Sequence, residues 1–157
     1  MKVTRNTPDQ LILQNNPLLL VAALNLFFLI FLAIGMGTIG QNGLVGAIFI
    51  GGSLLMGAAL NLAFARRTQL ILDRTADRVE LRRKSLLAYY RQVWRIADVT
   101  GAETQVSRSG DTDTRRVALR VHLYGQTEIH PVTLVYTSGK GPERATDAIN
   151  SWLGGSR

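Results

Sequence analysis

The sequence predicts a membrane protein with two transmembrane helices and an α+β domain. Three observations lead to this fold class. Residues 10–65 contain no Asp, Glu, Lys or Arg, the apolar period changes from helical to two after Arg67, and the chain closes with one amphipathic helix. A long uncharged run does not suit a small soluble domain, whose helices alternate apolar residues with water-facing charge. A bilayer-spanning helix needs about 20 mostly apolar residues, and two of them fit here.

The apolar run is predicted to form a helical hairpin. The first span covers residues 17–39 and the second covers residues 44–65, with a break at residues 40–43. The connection is short, so the two helices should be antiparallel neighbours. The predicted organisation is therefore an N-terminal polar tail over residues 1–16, a two-helix transmembrane hairpin over residues 17–65 and a β domain over residues 66–157.

The charges that flank the two spans predict their orientation. Lys2 and Arg5 precede the first span, Arg66 and Arg67 follow the second, and the connecting loop has no charge. By the positive-inside rule, the tail, the β domain and both termini are expected in the cytoplasm. A cleaved signal peptide is the alternative for the N-terminus. It is disfavoured because the apolar stretch is longer than the usual hydrophobic region of a signal peptide and no small-x-small cleavage site followed by a soluble chain is visible.

Small residues and two amides stand out within the spans. The small residues recur at four-residue spacing, which lets helix backbones approach closely in lipid. They pack the two helices on each other in the favoured interpretation and contact another membrane subunit in the alternative. Asn25 and Asn61 lie about 10 Å and about 6 Å from the cytoplasmic ends at ~1.5 Å per residue, which predicts a hydrogen bond between the helices. The candidate small residues are Ala33, Gly37, Ala47, Gly51, Ser53 and Gly57.

The β domain is predicted as a meander of about six antiparallel strands. An amphipathic helix over residues 141–153 follows, with apolar positions at i, i+3, i+4, i+7 and i+8. Trp152 is expected to pack across the sheet, since one helix can cover its buried face. Pro131 indicates that the last strand is an edge or is bulged. The strands are expected over residues 69–73, 78–82, 89–96, 102–107, 117–124 and 129–135.

The net charge of +7 is concentrated where the chain follows the second span. Residues 66–95 carry nine basic side chains against three acidic ones. Cytoplasmic leaflets are negative, and each nearby cation contributes ~1 kcal/mol of attraction. The functional interpretation is docking on anionic lipid or on an acidic partner, and the alternative is a solvated face that only sets topology. The candidate contact residues, here called the basic cluster, are Arg66, Arg67, Arg82, Arg83, Lys84, Arg91 and Arg95.

Motifs typical of catalytic, cofactor or metal sites are not found in the sequence. The absence of cysteine excludes disulfides, thiolate metal sites and cysteine nucleophiles. His122 and His130 are isolated, and two histidines without further ligands do not make a metal site. No ionisable residue lies in either span, which disfavours transport, and no RNA motif or recognition helix indicates a nucleic-acid partner. No catalytic, cofactor or metal site is expected, and an enzyme with an unrecognised site is the least favoured alternative.

Several stretches of the β domain resemble a known family. Leu-Ile-Leu-Asp-Arg at 70–74, Asp-Arg-Val-Glu-Leu-Arg-Arg-Lys at 77–84, Trp-Arg-Ile-Ala-Asp-Val at 94–99 and the closing helix resemble the bacterial pleckstrin-homology-like domains of membrane proteins. The resemblance covers about residues 66–153 and implies a partly open, bent β-barrel capped by the terminal helix. The layout is also similar, more loosely, to that of the thylakoid photosystem I assembly protein. Neither resemblance implies catalytic residues.

These observations together lead to a functional hypothesis. The chain is expected to be a non-catalytic, membrane-anchored interaction module, an accessory subunit or assembly factor of a larger membrane complex. Its expected partners are membrane lipids and other integral membrane subunits, and its expected location is the bacterial inner membrane. The alternative is a lipid-sensing or membrane-organising protein that binds anionic headgroups through the basic cluster.

Overall fold

The computed structural model describes residues 1–109 and 112–155. These residues form two antiparallel sheets, of strand order β1-β2-β3-β4-β5 and β6-β7-β8, and three α-helices. The chain divides into two compact units, one of which holds the strands and α3 while the other holds α1, α2 and the turn residues Ser85–Ala88. In chain order the elements are β1 (Lys2–Asn6), β2 (Gln10–Asn15), α1 (Leu18–Thr38), α2 (Gly43–Phe64), β3 (Arg67–Asp73), β4 (Arg78–Lys84), β5 (Tyr89–Trp94), β6 (Val99–Ser109), β7 (Thr112–Leu123), β8 (Gln126–Pro131) and α3 (Gly141–Gly154).

Helices α1 and α2 form within one or two residues of the predicted spans. The break between them ends at Asn42, whose side-chain oxygen accepts a hydrogen bond from the Val45 N–H at 3.3 Å and so caps α2. Both helices are long and apolar enough to span a membrane, with mean hydropathies of 2.8 and 2.0. Only 6% and 11% of their apolar windows are buried. A core helix of a soluble domain would instead be mostly buried.

The helical pair is inserted between two strands that pair with each other. β2 and β3 are antiparallel, in a register that runs from Gln10 opposite Asp73 to Asn15 opposite Thr68. The chain therefore leaves this sheet after β2 and returns directly beside it in β3. The segments before α1 and after α2 consequently belong to a single sheet.

The N-terminal segment differs from its prediction as a polar tail. Residues 2–15 form β1 and β2, and the side chains of Leu11 and Leu13 are completely buried in the core. In the turn between these strands, the Thr7 carbonyl accepts a hydrogen bond from the Trp152 indole N–H at 2.9 Å. The physical reason is that β2 satisfies the backbone groups of β3, which would otherwise form an exposed sheet edge. The strands thus number eight in the described part of the chain, rather than about six.

The six predicted strands are all present, with different bounds, but they divide between two sheets instead of forming one meander, because β5 does not pair with β6. β6 and β7 extend into the predicted loop at 108–114, where Arg108 pairs with Asp113, while Gly110 and Asp111 lie outside the described residues. β8 ends at Pro131 instead of continuing to residue 135. It lies at the edge of its sheet, as predicted from Pro131, which cannot donate a backbone hydrogen bond to a neighbouring strand.

Both sheets and α3 share one hydrophobic core. Trp152 is buried in it, as predicted, and α3 packs on strands of both sheets, namely β1, β2, β6 and β7. Arg74 joins three segments, because its guanidinium lies 4.2 Å from the centroid of the Trp152 ring and donates to the carbonyls of Pro8 and Trp152. The core comprises Leu11, Leu13, Leu70, Leu72, Val79, Leu81, Trp94, Val99, Ala102, Val117, Leu119, Val121, Val132, Ala145, Ile149 and Trp152.

Replacing Leu13 tests whether the N-terminal strands are part of this core. We expect Leu13→Ala to lower the free energy of unfolding of the sheet unit by about 3 kcal/mol, because it removes a fully buried side chain. The two tryptophans of the chain, Trp94 and Trp152, both lie in the sheet unit, so urea titration followed by tryptophan fluorescence reports on it alone. The neighbouring Gln14 is exposed, and Gln14→Ala is expected to change the free energy of unfolding of the sheet unit by less than ~0.5 kcal/mol. Equal effects of the two substitutions would contradict a structural role for β2.

Candidate functional site

The basic cluster does not form a single surface. Strand β4 alternates its side chains between two faces, so Arg83 lies on the core side with Leu81, whereas Arg82 and Lys84 lie on the opposite face. The pairing of β4 with β5 places Arg82 directly opposite Arg91 on that second face. Some of these cations form hydrogen bonds and ion pairs within the protein, and others extend into solvent.

Glu80 binds two members of the cluster and was not predicted as a site residue. Its carboxylate is completely buried and accepts a bidentate pair of hydrogen bonds from Arg82, at 2.7 Å from Nε and 3.0 Å from Nη2. Arg91 Nε donates to the same carboxylate, and Arg78 Nε lies 4.0 Å from it. The hydrogen bond from Arg82 lowers the pKa of Glu80 to about 2, against the opposing effect of burial and with further help from Arg91. The sequence does contain a signal for this contact. Glu80 and Arg82 are two positions apart in a predicted strand, so their side chains lie on the same face.

Arg83 also belongs to the fold. Its guanidinium donates to the carbonyl oxygens of Pro131 and Val132, the latter at 3.3 Å from Nε, and lies 5.5 Å from the centroid of the Tyr90 ring. Burial lowers the pKa of Arg83 below its ordinary value. Arg83 therefore joins β4 to the end of β8, and we assign it to the packing of the two sheets rather than to an external surface.

The remaining four cations are exposed. The side chains of Arg66, Arg67, Lys84 and Arg95 have no ion-pair or hydrogen-bond partner in residues 1–109 and 112–155. β3 and β4 are neighbours joined by the tight turn at 74–77, so Lys84, at the end of β4, lies at the end of the sheet where β3 begins. Arg95 follows β5 and lies at the opposite end. The exposed cations are thus divided between the two ends of the sheet, with Arg66, Arg67 and Lys84 at one end and Arg95 at the other.

Within the helical pair, the two amides contact each other. Asn61 Nδ2 donates to Asn25 Oδ1 at 2.8 Å, and Asn25 Nδ2 donates back to Asn61 Oδ1 at 3.3 Å. Each amide also donates to a carbonyl of its own helix, that of Val21 at 2.9 Å and that of Gly57 at 2.8 Å. All four amide N–H groups therefore have an acceptor inside the pair. In lipid, where no water competes, such mutual satisfaction removes most of the cost of two polar side chains.

The small residues divide between the helix contact and the outer surface. Ser53 and Gly57 are buried at the contact, where a Cβ on Gly57 would lie 3.3 Å from the Phe28 ring. The others differ from the favoured interpretation, because Ala33, Gly37 and Ala47 are exposed and Gly51 is half-buried. A Cβ added to Gly37 or Gly51 would meet no atom within 4 Å.

Two glycines that were not predicted lie where the chain segments of the helical pair are in close contact. A Cβ on Gly35 would lie 2.8 Å from Ile50 Cγ1, and one on Gly46 would lie 2.6 Å from Ile39 Cα. Gly46, Ser53 and Gly57 follow each other at spacings of seven and four residues, which keeps them on one helix face. Four-residue spacing alone could not show which face of each helix meets the other.

The histidines have ordinary polar contacts. His122 Nδ1 lies 3.3 Å from Thr127 Oγ1, and His130 Nε2 lies 3.1 Å from Glu128 Oε2. No group of three or more metal-ligating side chains occurs in the described ranges.

Comparison with known proteins adds no relative. No protein family matches this chain, and a search of curated proteins finds no match. The function must therefore be inferred from the molecule itself.

Neutralising Glu80 tests its role as the acceptor for the arginines. We expect Glu80→Gln to lower the free energy of unfolding of the sheet unit by about 2 kcal/mol, since hydrogen bonds to charged groups each contribute about 1.5–3 kcal/mol. The folded pKa of about 2 lies below the ordinary value of 4.5, so this stabilisation is complete above pH 4.5 and is lost as the pH falls toward 2. Urea titrations at several pH values measure both effects. The exposed Asp147→Asn is the control, and an unchanged acid dependence in Glu80→Gln would contradict the assignment.

Adding a methyl group at the helix contact tests the packing of α1 on α2. We expect Gly46→Ala to destabilise the helical pair by about 1–3 kcal/mol, because the new Cβ overlaps the Ile39 backbone. Gly51→Ala is the matched control on the same helix, where the space is open, and it should leave stability unchanged or slightly raised. Unfolding by SDS titration in mixed micelles, followed by circular dichroism, compares them. A larger loss from Gly51→Ala than from Gly46→Ala would contradict this contact.

Proposed function

We propose that this chain is a non-catalytic, membrane-anchored interaction module, an accessory subunit or assembly factor of a larger membrane complex. In this proposal α1 and α2 span the membrane as a hairpin, and the sheet unit and the outer helix faces contact integral membrane subunits. One observation carries the proposal. Two exposed apolar helices are inserted between paired strands of a sheet that has its own separate core.

The exposed apolar surface of α1 and α2 supports a lipid environment for both helices. Large apolar side chains are exposed along both helices, among them Leu19, Leu44 and Leu55. In water, exposed apolar area costs about 25 cal/mol per Å², whereas in lipid it costs almost nothing. The amides of Asn25 and Asn61 satisfy each other, so the surface left for lipid is apolar.

The pairing of β2 with β3 supports a topology with both termini on one side. A sheet cannot form across a bilayer, so the segments before α1 and after α2 must lie on the same side of a membrane that the helices span. The uncharged connection between α1 and α2, together with Arg66 and Arg67 after α2, supports the cytoplasm as that side. We place the chain in the bacterial inner membrane as a two-span protein.

Exposed small and apolar groups support contacts with other subunits. Ala33 and Gly37 on α1 and Ala47 on α2 are exposed, and such residues allow close approach of a further helix. Val93 on β5 and Ile129 on β8 are exposed on strands at the edges of the two sheets. Sheet edges with apolar side chains are suited to protein contacts.

The sheet unit supports the resemblance to the bacterial pleckstrin-homology-like domains in its order of parts. β3, β4 and β5 are neighbours in one sheet, β6, β7 and β8 are neighbours in the other, and α3 closes the core that they share. In this proposal β1 and β2 are an addition to that domain, and the helical pair is inserted between the addition and the domain.

Purification of the full chain from its native membrane tests the proposal. With a C-terminal tag and a mild detergent, we expect other integral membrane subunits to co-purify in fixed stoichiometry. Gly37→Leu, which fills open space on α1, should reduce that yield several-fold while the chain stays in the membrane fraction. Leu55→Val is the control, because it preserves an exposed aliphatic side chain.

Two other outcomes of the same purification would contradict the accessory role. A chain that purifies without subunits but with anionic lipids enriched over the bulk membrane, in a salt-dependent manner, would favour the lipid-sensing alternative. The exposed Lys84, Arg66 and Arg67 are the residues that favour that alternative. A chain found in the supernatant after membranes are pelleted would contradict both functions.

A further inference from the structure

The turn between β4 and β5, residues 85–88, exposes two leucines. The backbone N–H and the hydroxyl of Ser85 both donate to the Ala88 carbonyl, at 2.9 Å and 3.2 Å, and Ser85 Oγ accepts from the Ala88 N–H at 3.0 Å. These bonds close a tight turn between the paired Lys84 and Tyr89. At its tip, Leu86 is 64% exposed and Leu87 is 83% exposed.

The composition of this turn is unusual for a hairpin in water. Gly, Asn, Asp, Pro and Ser dominate such turns, because each favours a turn conformation or hydrogen-bonds locally. The turn at 74–77, Arg-Thr-Ala-Asp, has no large apolar side chain. In the β4–β5 turn, the leucines are instead flanked by the exposed Lys84 and Tyr89. A leucine tip bordered by tyrosine and lysine is typical of segments at the lipid–water interface, where Tyr and Lys lie at the headgroups.

Strand register fixes the end of the sheet from which this turn projects. β4 runs back along β3 after the turn at 74–77, so β4 ends where β3 begins. The start of β3 pairs with the end of β2, at Thr68 opposite Asn15. The β4–β5 turn therefore projects from the end of the sheet at which the chain leaves for α1 and returns from α2.

We propose that the β4–β5 turn inserts Leu86 and Leu87 into the lipid interface of the membrane that α1 and α2 span. The partner is the phospholipid bilayer, with Lys84 and Tyr89 at its headgroups. The inference rests on the proposed function, since it needs the helical pair in the membrane. The turn would act as a further attachment point that fixes the orientation of the sheet unit on the bilayer surface.

Site-specific fluorescence with the full chain in vesicles tests the insertion. The chain has no cysteine, so single-cysteine variants can be labelled with a polarity-sensitive fluorophore at one site only. We choose Leu87→Cys at the turn, Thr75→Cys at the opposite end of the sheet and Leu29→Cys on α1, all at exposed positions. In vesicles of phosphatidylcholine and phosphatidylglycerol, lipids with a nitroxide near the headgroup should quench the probe at Leu87→Cys several-fold more than the probe at Thr75→Cys. Lipids with a deep nitroxide should quench the probe at Leu29→Cys.

The three probes separate failure of the inference from failure of the proposed function. An unquenched probe at Leu29→Cys would overturn the membrane placement itself. A quenched probe at Leu29→Cys with equal responses at Leu87→Cys and Thr75→Cys would overturn insertion of the turn and leave the proposed function intact. A probe at Leu87→Cys that is shielded from both lipid nitroxides and aqueous iodide would show that protein covers the turn, and would also overturn the lipid assignment.

A second set of variants tests whether the leucines are responsible. With the probe at Ala88→Cys, replacing both Leu86 and Leu87 by Ser should abolish most of the quenching by headgroup nitroxides. Val93→Ser, which changes an exposed apolar residue on β5, should preserve that quenching. The leucines are exposed, so the substitutions should leave the tryptophan fluorescence of the sheet unit unchanged, which verifies folding. Retained quenching in the double variant would overturn the proposal.

Discussion

The structure depends on the pairing of β2 with β3 across the inserted helical pair. This pairing makes α1 and α2 an insertion in a continuous sheet rather than an anchor attached by a linker. It brings Leu11 and Leu13 into the core, and it positions the Thr7–Pro8 turn to accept hydrogen bonds from Trp152 and Arg74. Without β2, the backbone groups of β3 would be unpaired along one edge of the sheet.

Strand alternation decides what the cations do. In the sequence the basic residues of β4 and β5 form one concentrated stretch, but alternate positions of a strand lie on opposite faces. Arg82 and Arg91 satisfy the buried carboxylate of Glu80 on one face, whereas Arg83 reaches the backbone after β8 on the other. Much of the positive charge is thereby committed to internal contacts. An excess of charge along a chain is therefore a poor measure of the charge that a partner meets.

The correctly predicted parts of the fold are the elements whose own residues show a regular apolar pattern. α1, α2 and α3 and the strands from β3 to β8 each carry a regular apolar pattern of their own. β1 and β2 were missed because they are short, their apolar residues are Val3 and the run 11–13 without alternation, and their partner strand lies far along the chain. The contact between α1 and α2 was predicted at Ser53 and Gly57 but missed at Gly35 and Gly46, since spacing fixes a period and not the rotation of a helix. Glu80 was missed because its burial depends on three arginines that converge only in the folded sheet.

The insertion of the helices within a sheet has a consequence for biosynthesis. Residues of β1 and β2 are synthesised before α1 and α2, yet β3 cannot join them until both helices have been made. With α1 and α2 in a bilayer, β3 reaches β2 only when the second helix has crossed back. A chain whose second helix fails to cross would hold the two strands on opposite sides, with its leucines uncovered and its sheet incomplete. In the proposed membrane placement, completion of the sheet would therefore require correct insertion of both helices.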